Sequence, residues 1–229
     1  MERLYELFPN VTKVTLSSTR NKKLMEGLVA DDGWDLQSVR VCGGMEPRDN
    51  LFEALVVLRS VPQLMLPFQK NMGVALEDGH RAGHTFNIQA LDVSGCDLTD
   101  DHVVHITAMF PRLHSLDVTF NDQLTPAMFN TLPSLRALRL TPTYYDDAWY
   151  SQVMPSLTFL EMVFYNDQQV RRVVDGCPRL EHLVALTAMD DEGRLSAYDV
   201  GTALGVGEQD ESATASDSLR KYRERGVAV

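Results

Sequence analysis

Two histidines, His80 and His84, stand four residues apart in "HRAGH". On a helix that spacing would put both imidazoles on one face, which is how a pair of ring nitrogens begins a zinc site. Glu77 and Asp78 precede them, so a hydrolase or metal-dependent enzyme using residues 67–87 as a lid is the enzymatic alternative. Gly79 and Gly83 interrupt the stretch and no cysteine supports it, which favours polar loop residues over ligands. Aspartate pairs recur at Asp31-Asp32, Asp100-Asp101, Asp146-Asp147 and Asp190-Asp191. Paired carboxylates bind calcium or share a proton. Three of the four pairs, however, fall ten to twelve residues after the start of a short apolar motif, where a helix would begin, and there carboxylates cap backbone N–H groups and offset the helix dipole. Cys96 and Cys177 read as buried turn residues, because no histidine is placed in sequence to activate either thiol. There is no GxSxG, no phosphate-binding glycine loop and no HExxH. The sequence therefore assigns no catalytic residue, no cofactor and no metal, and predicts a non-enzymatic protein.

The motif that precedes these groups is more informative than the groups themselves. An apolar-x-x-apolar-x-apolar pattern begins at Val11, Leu36, Val61, Ile88, Leu113, Leu135, Leu157 and Leu180, at intervals of 25, 25, 27, 25, 22, 22 and 23 residues. A second apolar set follows in register: Leu98/Val103/Ile106, Leu124/Phe129/Leu132, Tyr145/Tyr150/Val153 and Tyr165/Val170/Val173. Its inner spacing of three suits one face of a short helix. Thr125-Pro126 resembles an N-cap followed by proline at the first helical position, and Thr99-Asp100-Asp101 a cap with acids in the first turn. Pro111, Pro133, Pro155 and Pro178 then close successive units. Each unit is thus a strand, a turn and a short helix that cannot bury its apolar stripe alone. Stacked units predict an α/β solenoid of about eight irregular repeats, with a curved parallel sheet inside and helices outside.

In "IQALDVSGCDLTDDHVVHITAMFPRL" and "DGCPRLEHL" the pattern resembles leucine-rich repeat proteins of the cysteine-containing, ribonuclease-inhibitor-like kind, as in F-box leucine-rich repeat proteins and the mitochondrial ATP synthase subunit s-like family. The resemblance implies that Cys96 and Asn121 bond the turn backbone. Thr19, Gly44, Gln69, Thr143, Tyr165 and Ala188 hold the equivalent positions and imply an irregular stack. It also implies one of three settings: a substrate-receptor-like adaptor of a ubiquitin ligase, a soluble regulator, or an accessory subunit of a larger complex. With the first repeat at Val11, an F-box ahead of it is not expected, so an adaptor would borrow that module from another chain. The expected organisation is a repeat domain over 1–195 with a loop insertion at 67–87, too rich in glycine and polar residues for a regular helix. A disordered tail is expected over 196–229, acidic and then basic.

The net charge of −11 on 229 residues disfavours direct nucleic-acid binding, and no apolar run reaches the ~18 residues that span a bilayer. Three widely spaced cysteines without a CxxC suggest reduced thiols in a reducing, intracellular compartment, cytoplasmic or within a mitochondrial complex. What remains is the outward face of the sheet. Strand side chains alternate, so Asp92, Asp117, Arg139 and Glu161 should line up there, with Phe159 and His182 two positions upstream on their strands. These residues are the expected binding face for a protein partner with a basic surface. Asp92 and Asp117 would be like-charged neighbours, with Arg139 offsetting them in part.

Overall fold

A computed structural model describes residues 10–16, 35–42, 51–142 and 146–187. The expected tail, Asp31-Asp32 and Asp190-Asp191 lie outside those residues, as do Thr19, Gly44, Thr143, Tyr145 and Ala188. Two compact units divide the chain, Met1–Thr131 and Leu132–Val229.

In the first unit the strands are β1 (Lys13–Leu16), β2 (Ser38–Val41), β3 (Gln63–Met65), β4 (Ala90–Asp92) and β5 (Ser115–Asp117). They pair in parallel in sequence order, and Val14, Val39, Leu64, Leu91 and Leu116 stand opposite one another in register. Apart from half-buried Val14, this inner row is buried, while Thr15, Arg40, Met65, Asp92 and Asp117 form the partly or fully exposed outer row. Parallel neighbours need a crossover. Here the crossovers carry α1 (Leu51–Val57), α2 (Met72–Arg81) and α3 (Asp100–Met109), and a 3-10 helix spans Pro126–Thr131.

The helix α2 lies inside the stretch expected to be a loop. Two of the glycines that argued against a helix there are what its packing needs. A Cβ at Gly73 would stand 2.7 Å from the His102 ring, and one at Gly79 would stand 2.3 Å from Met109 Cε. Glycine's cost in a helix is under about 1 kcal/mol, and it is repaid by seating Met72, Ala75 and Leu76 in the core beside α3. Residues 67–87 are therefore the second half of an ordinary repeat, not an insertion.

The second unit holds β6 (Ala137–Leu140), β7 (Phe159–Phe164) and β8 (His182–Thr187), parallel and in sequence order, with Leu138, Leu160 and Leu183 in register. Among its described residues there are also a 3-10 helix (Asp147–Tyr150) and α4 (Asp167–Gly176). One turn of 3-10 helix thus precedes β7 among the described residues, where the following repeat has the ten-residue α4. One apolar position shifts: Met154 is buried where Val153, at 72% exposure, was expected. The Tyr150 hydroxyl donates to the Val163 carbonyl at 3.1 Å and its ring packs against Phe164, so an aromatic replaces the aliphatic helix face. Back in the first unit, Met128 is buried instead of the expected Phe129.

Candidate functional site

The site is built from the turns that end the strands. After β5, buried Asn121 uses both ends of its amide. Oδ1 accepts from the backbone N–H groups of Cys96 at 3.0 Å and Leu98 at 2.9 Å, while Nδ2 donates to the carbonyls of Val93 and Val118, each at 3.0 Å. One turn earlier, the Cys96 thiol donates to the Leu66 carbonyl at 3.2 Å and its sulfur accepts from the Gln69 N–H at 3.4 Å. Gln69 is fully buried and its side chain donates to the Pro67 carbonyl at 3.0 Å. Gln69, Cys96 and Asn121 thus make a buried polar stack that ties the ends of β3, β4 and β5 together. Burial pushes the Cys96 thiol up to about 12 and the Cys177 thiol up to about 11, so both stay protonated and weakly nucleophilic at neutral pH.

On the outer face, Asp92 and Asp117 occupy matching positions on neighbouring strands. Adjacent strands run about 4.8 Å apart, so two like charges share a small area. Neither carboxylate is a loose surface group. Asp92 Oδ1 accepts from Ser94 N at 3.0 Å and Ser94 Oγ at 2.7 Å, and Asp117 Oδ1 accepts from Thr119 N at 3.1 Å and Thr119 Oγ1 at 2.8 Å. The Asp-Val-Ser and Asp-Val-Thr sequences were the available signal for this, since aspartate commonly bonds its own backbone two residues on. In the second unit, Arg139 Nε donates to Glu161 Oε2 at 3.0 Å, and its guanidinium sits 5.4 Å from the centre of the Phe159 ring. His182 is exposed on β8, in register with Phe159.

The histidines take up structural positions. His80 stacks on His105 with ring centres 4.5 Å apart, whereas His84 lies beyond the end of α2 between Phe52 and Phe86. His102 caps α3, its Nδ1 accepting from Thr99 N at 3.0 Å, with Nε2 3.5 Å from Glu77. Burial, then the charges of His80 and His102, hold His105 below the usual imidazole range. Among the described residues, no group of three or more His, Cys, Asp or Glu is placed to hold a metal ion, and no helix is long and apolar enough to cross a membrane. The carboxylate pairs that are described act at helix starts. Asp100 accepts from Thr125 N at 2.9 Å, Asp146 caps its helix through Ala148 N at 2.8 Å, and Asp147 meets Arg172 at 2.6 Å.

No family model matches the sequence, and no curated protein matches it either. Among solved structures, the leucine-rich repeat-containing protein LegL7 from Legionella pneumophila superposes with a TM-score of 0.60 over 93% of this chain and 72% of its own, at 14% identity. The fold is that of a leucine-rich repeat protein. In that fold each repeat buries its neighbours' apolar rows and leaves one sheet face uncovered; in the first unit Asp92 and Asp117 stand on such a face, and in the second Arg139 and Glu161 do.

Two residues at this leucine-rich repeat sheet edge escaped the sequence reading. Phe68 and Phe120 are exposed, at 58% and 42%, in left-handed backbone with φ of 59° and 58°. Each directly precedes a residue of the buried polar stack, where the intervening turn has Gly95 with φ 62°. A phenylalanine at a position that favours glycine was the overlooked signal.

Proposed function

We propose that the chain is a non-enzymatic protein-interaction scaffold that engages a partner with a basic surface through the outer face of its sheet. The observation that carries this reading is the Asp92–Asp117 pair. Two carboxylates side by side oppose folding electrostatically, yet each is fixed in orientation by its own turn. Acceptors held in place before binding lose little entropy when a cation arrives, and like charges in one patch steer a basic partner toward it. Arg139, Glu161, Phe159 and His182 supply a second outward group in which charge and aromatic surface are already paired. Of the settings the family resemblance implies, an accessory subunit of a larger complex fits a chain whose candidate binding residues stand on its surface. An adaptor of a ubiquitin ligase is the alternative.

The test exploits the turn bonds. Asp92→Asn with Asp117→Asn removes both charges but keeps an oxygen for Ser94 and Thr119, so the fold survives. Tagged wild type and double variant are compared by quantitative affinity purification, with circular dichroism as the control for folding. The partner specific to wild type should fall at least about tenfold with the variant, since close charge pairs contribute on the order of 1.5 kcal/mol or more. Undiminished capture by a folded variant refutes the outer face as the binding site.

A further inference from the structure

The turns that follow β3, β4 and β5 are bonded to one another, Phe68 N donating to the Ser94 carbonyl at 2.7 Å and Gly95 N to the Thr119 carbonyl at 2.9 Å. Phe68, Gly95 and Phe120 therefore sit at successive steps of one rim. The central step has no side chain, and the Phe68 ring lies over it: a Cβ at Gly95 would come within 2.4 Å of Phe68 Cδ1. Large side chains in left-handed backbone are strained, and phenylalanines left 58% and 42% exposed bury only part of their rings to offset that strain. Strain of this kind is retained where the surroundings hold it and is concentrated at sites that bind.

The surroundings say what would bind. Asp92 and Asp117 lie at the strand ends below the rim, and Asp97 and Asp122 are exposed just beyond Gly95 and Phe120. Between Gln89 and Asp101, and between Ser115 and Thr125, the chain has no lysine or arginine; Lys70 follows Phe68 by two residues. Aromatic faces set among oriented carboxylates suit a guanidinium better than an ammonium, because arginine stacks on a ring while its planar fork bonds a carboxylate. We propose that this rim docks an extended, arginine-bearing segment of a partner protein, with guanidinium groups stacked on Phe68 and Phe120 and paired with the neighbouring aspartates. The inference rests on the protein-scaffold reading above, shares its aspartates and adds Phe68 and Phe120, which that reading does not use.

Binding of a labelled Gly/Ser peptide with spaced arginines, and of its lysine and citrulline counterparts, is followed by fluorescence anisotropy on the full chain. Three proteins are compared: wild type, Phe68→Gly/Phe120→Gly, and Asp92→Asn/Asp117→Asn. Glycine suits both left-handed positions, so the first double variant keeps its fold; Phe68→Asn/Phe120→Asn is a second version, asparagine also tolerating that conformation. Wild type should prefer the arginine peptide over the citrulline peptide, and the arginine over the lysine peptide by several-fold. The phenylalanine variants should lose about tenfold in arginine-peptide affinity, comparable to a cation–π contact with desolvation, and lose the preference over lysine. Phenylalanine variants that bind like wild type, equal binding of the lysine and arginine peptides, or no peptide binding by wild type each overturn the rim proposal. None of these disturbs the outer-face reading, which is tested by capture of the partner with the aspartate variant. Co-sedimentation with phosphatidylcholine vesicles that depends on Phe68 and Phe120 would assign the rim to a membrane and also overturn it.

Discussion

Replacing Asn121 with alanine removes a side chain that is 2% exposed and serves backbone groups in two consecutive turns. Two accepted bonds, from the N–H groups of Cys96 and Leu98, and two donated bonds, to the carbonyls of Val93 and Val118, disappear together. A buried hydrogen bond contributes about 1 kcal/mol net, and a stranded buried N–H costs about 1–3 kcal/mol. The loss should therefore be about 4 kcal/mol, a large part of the 5–15 kcal/mol that typically holds a domain folded. Urea denaturation followed by circular dichroism reads it directly, with the midpoint falling at an unchanged slope if only the native state is affected. Asn121→Asp sharpens the test. It keeps both acceptors but turns a carboxylate toward two carbonyls, which favours its protonated form in the folded state. That variant should gain stability relative to wild type as pH falls and lose it as pH rises through the carboxyl's folded pKa. A loss below about 1 kcal/mol for Asn121→Ala, or wild-type stability of Asn121→Asp at neutral pH, would refute the role given to this amide.

Leu116→Asp should cost several kcal/mol by burying an unpaired charge, while Asp117→Ala, one residue on, should cost about 1–2 kcal/mol through the lost Thr119 bonds; equal thermal melts would refute the strand register. With thiols pushed up to about 12 and 11, Cys96 and Cys177 should resist iodoacetamide in the folded protein while half-buried Cys42 reacts, as mass spectrometry of the native and urea-unfolded chain would show. Because both folded values lie above the usual thiol value of 9.0, the protons are held more tightly in the folded state, and stability should fall as pH rises beyond about 9 toward 12.

The strand register was legible because a sheet imposes a period of two: once Leu91 and Leu116 are placed inward, Asp92 and Asp117 must point out. Ser38 is an exception: the same period, with Val39 inward, points it outward on β2, yet it is buried. The helix α2 was illegible for a different reason. Glycine's local preference argues against a helix, and only the close approach of His102 and Met109 explains why Gly73 and Gly79 are there. Nothing in the local sequence of either residue announces a neighbour some thirty positions away. The aspartates were correctly faced but incompletely understood, since outward direction alone predicts no cost to Asp117→Ala and the bond to Thr119 adds one. Phe68 and Phe120 are illegible in the sequence because an apolar residue invites a place in the core, whereas the repeat puts it at a turn that only backbone geometry reveals.

The polar stack has a direction. Asn121 bonds groups of the turn before it, and Cys96 reaches back to Leu66 and Gln69. A turn in this unit therefore has its backbone groups satisfied by the residue that arrives about one repeat later. During synthesis at roughly 5–20 residues per second, the turn at Cys96 must wait more than a second for Asn121 to emerge before its N–H groups are covered. Folding of this unit then runs as a latch closed from behind. A ribosome-bound chain exposed only as far as Leu98 would leave the bare turn open to chaperones, and a chain exposed beyond Leu124 would not.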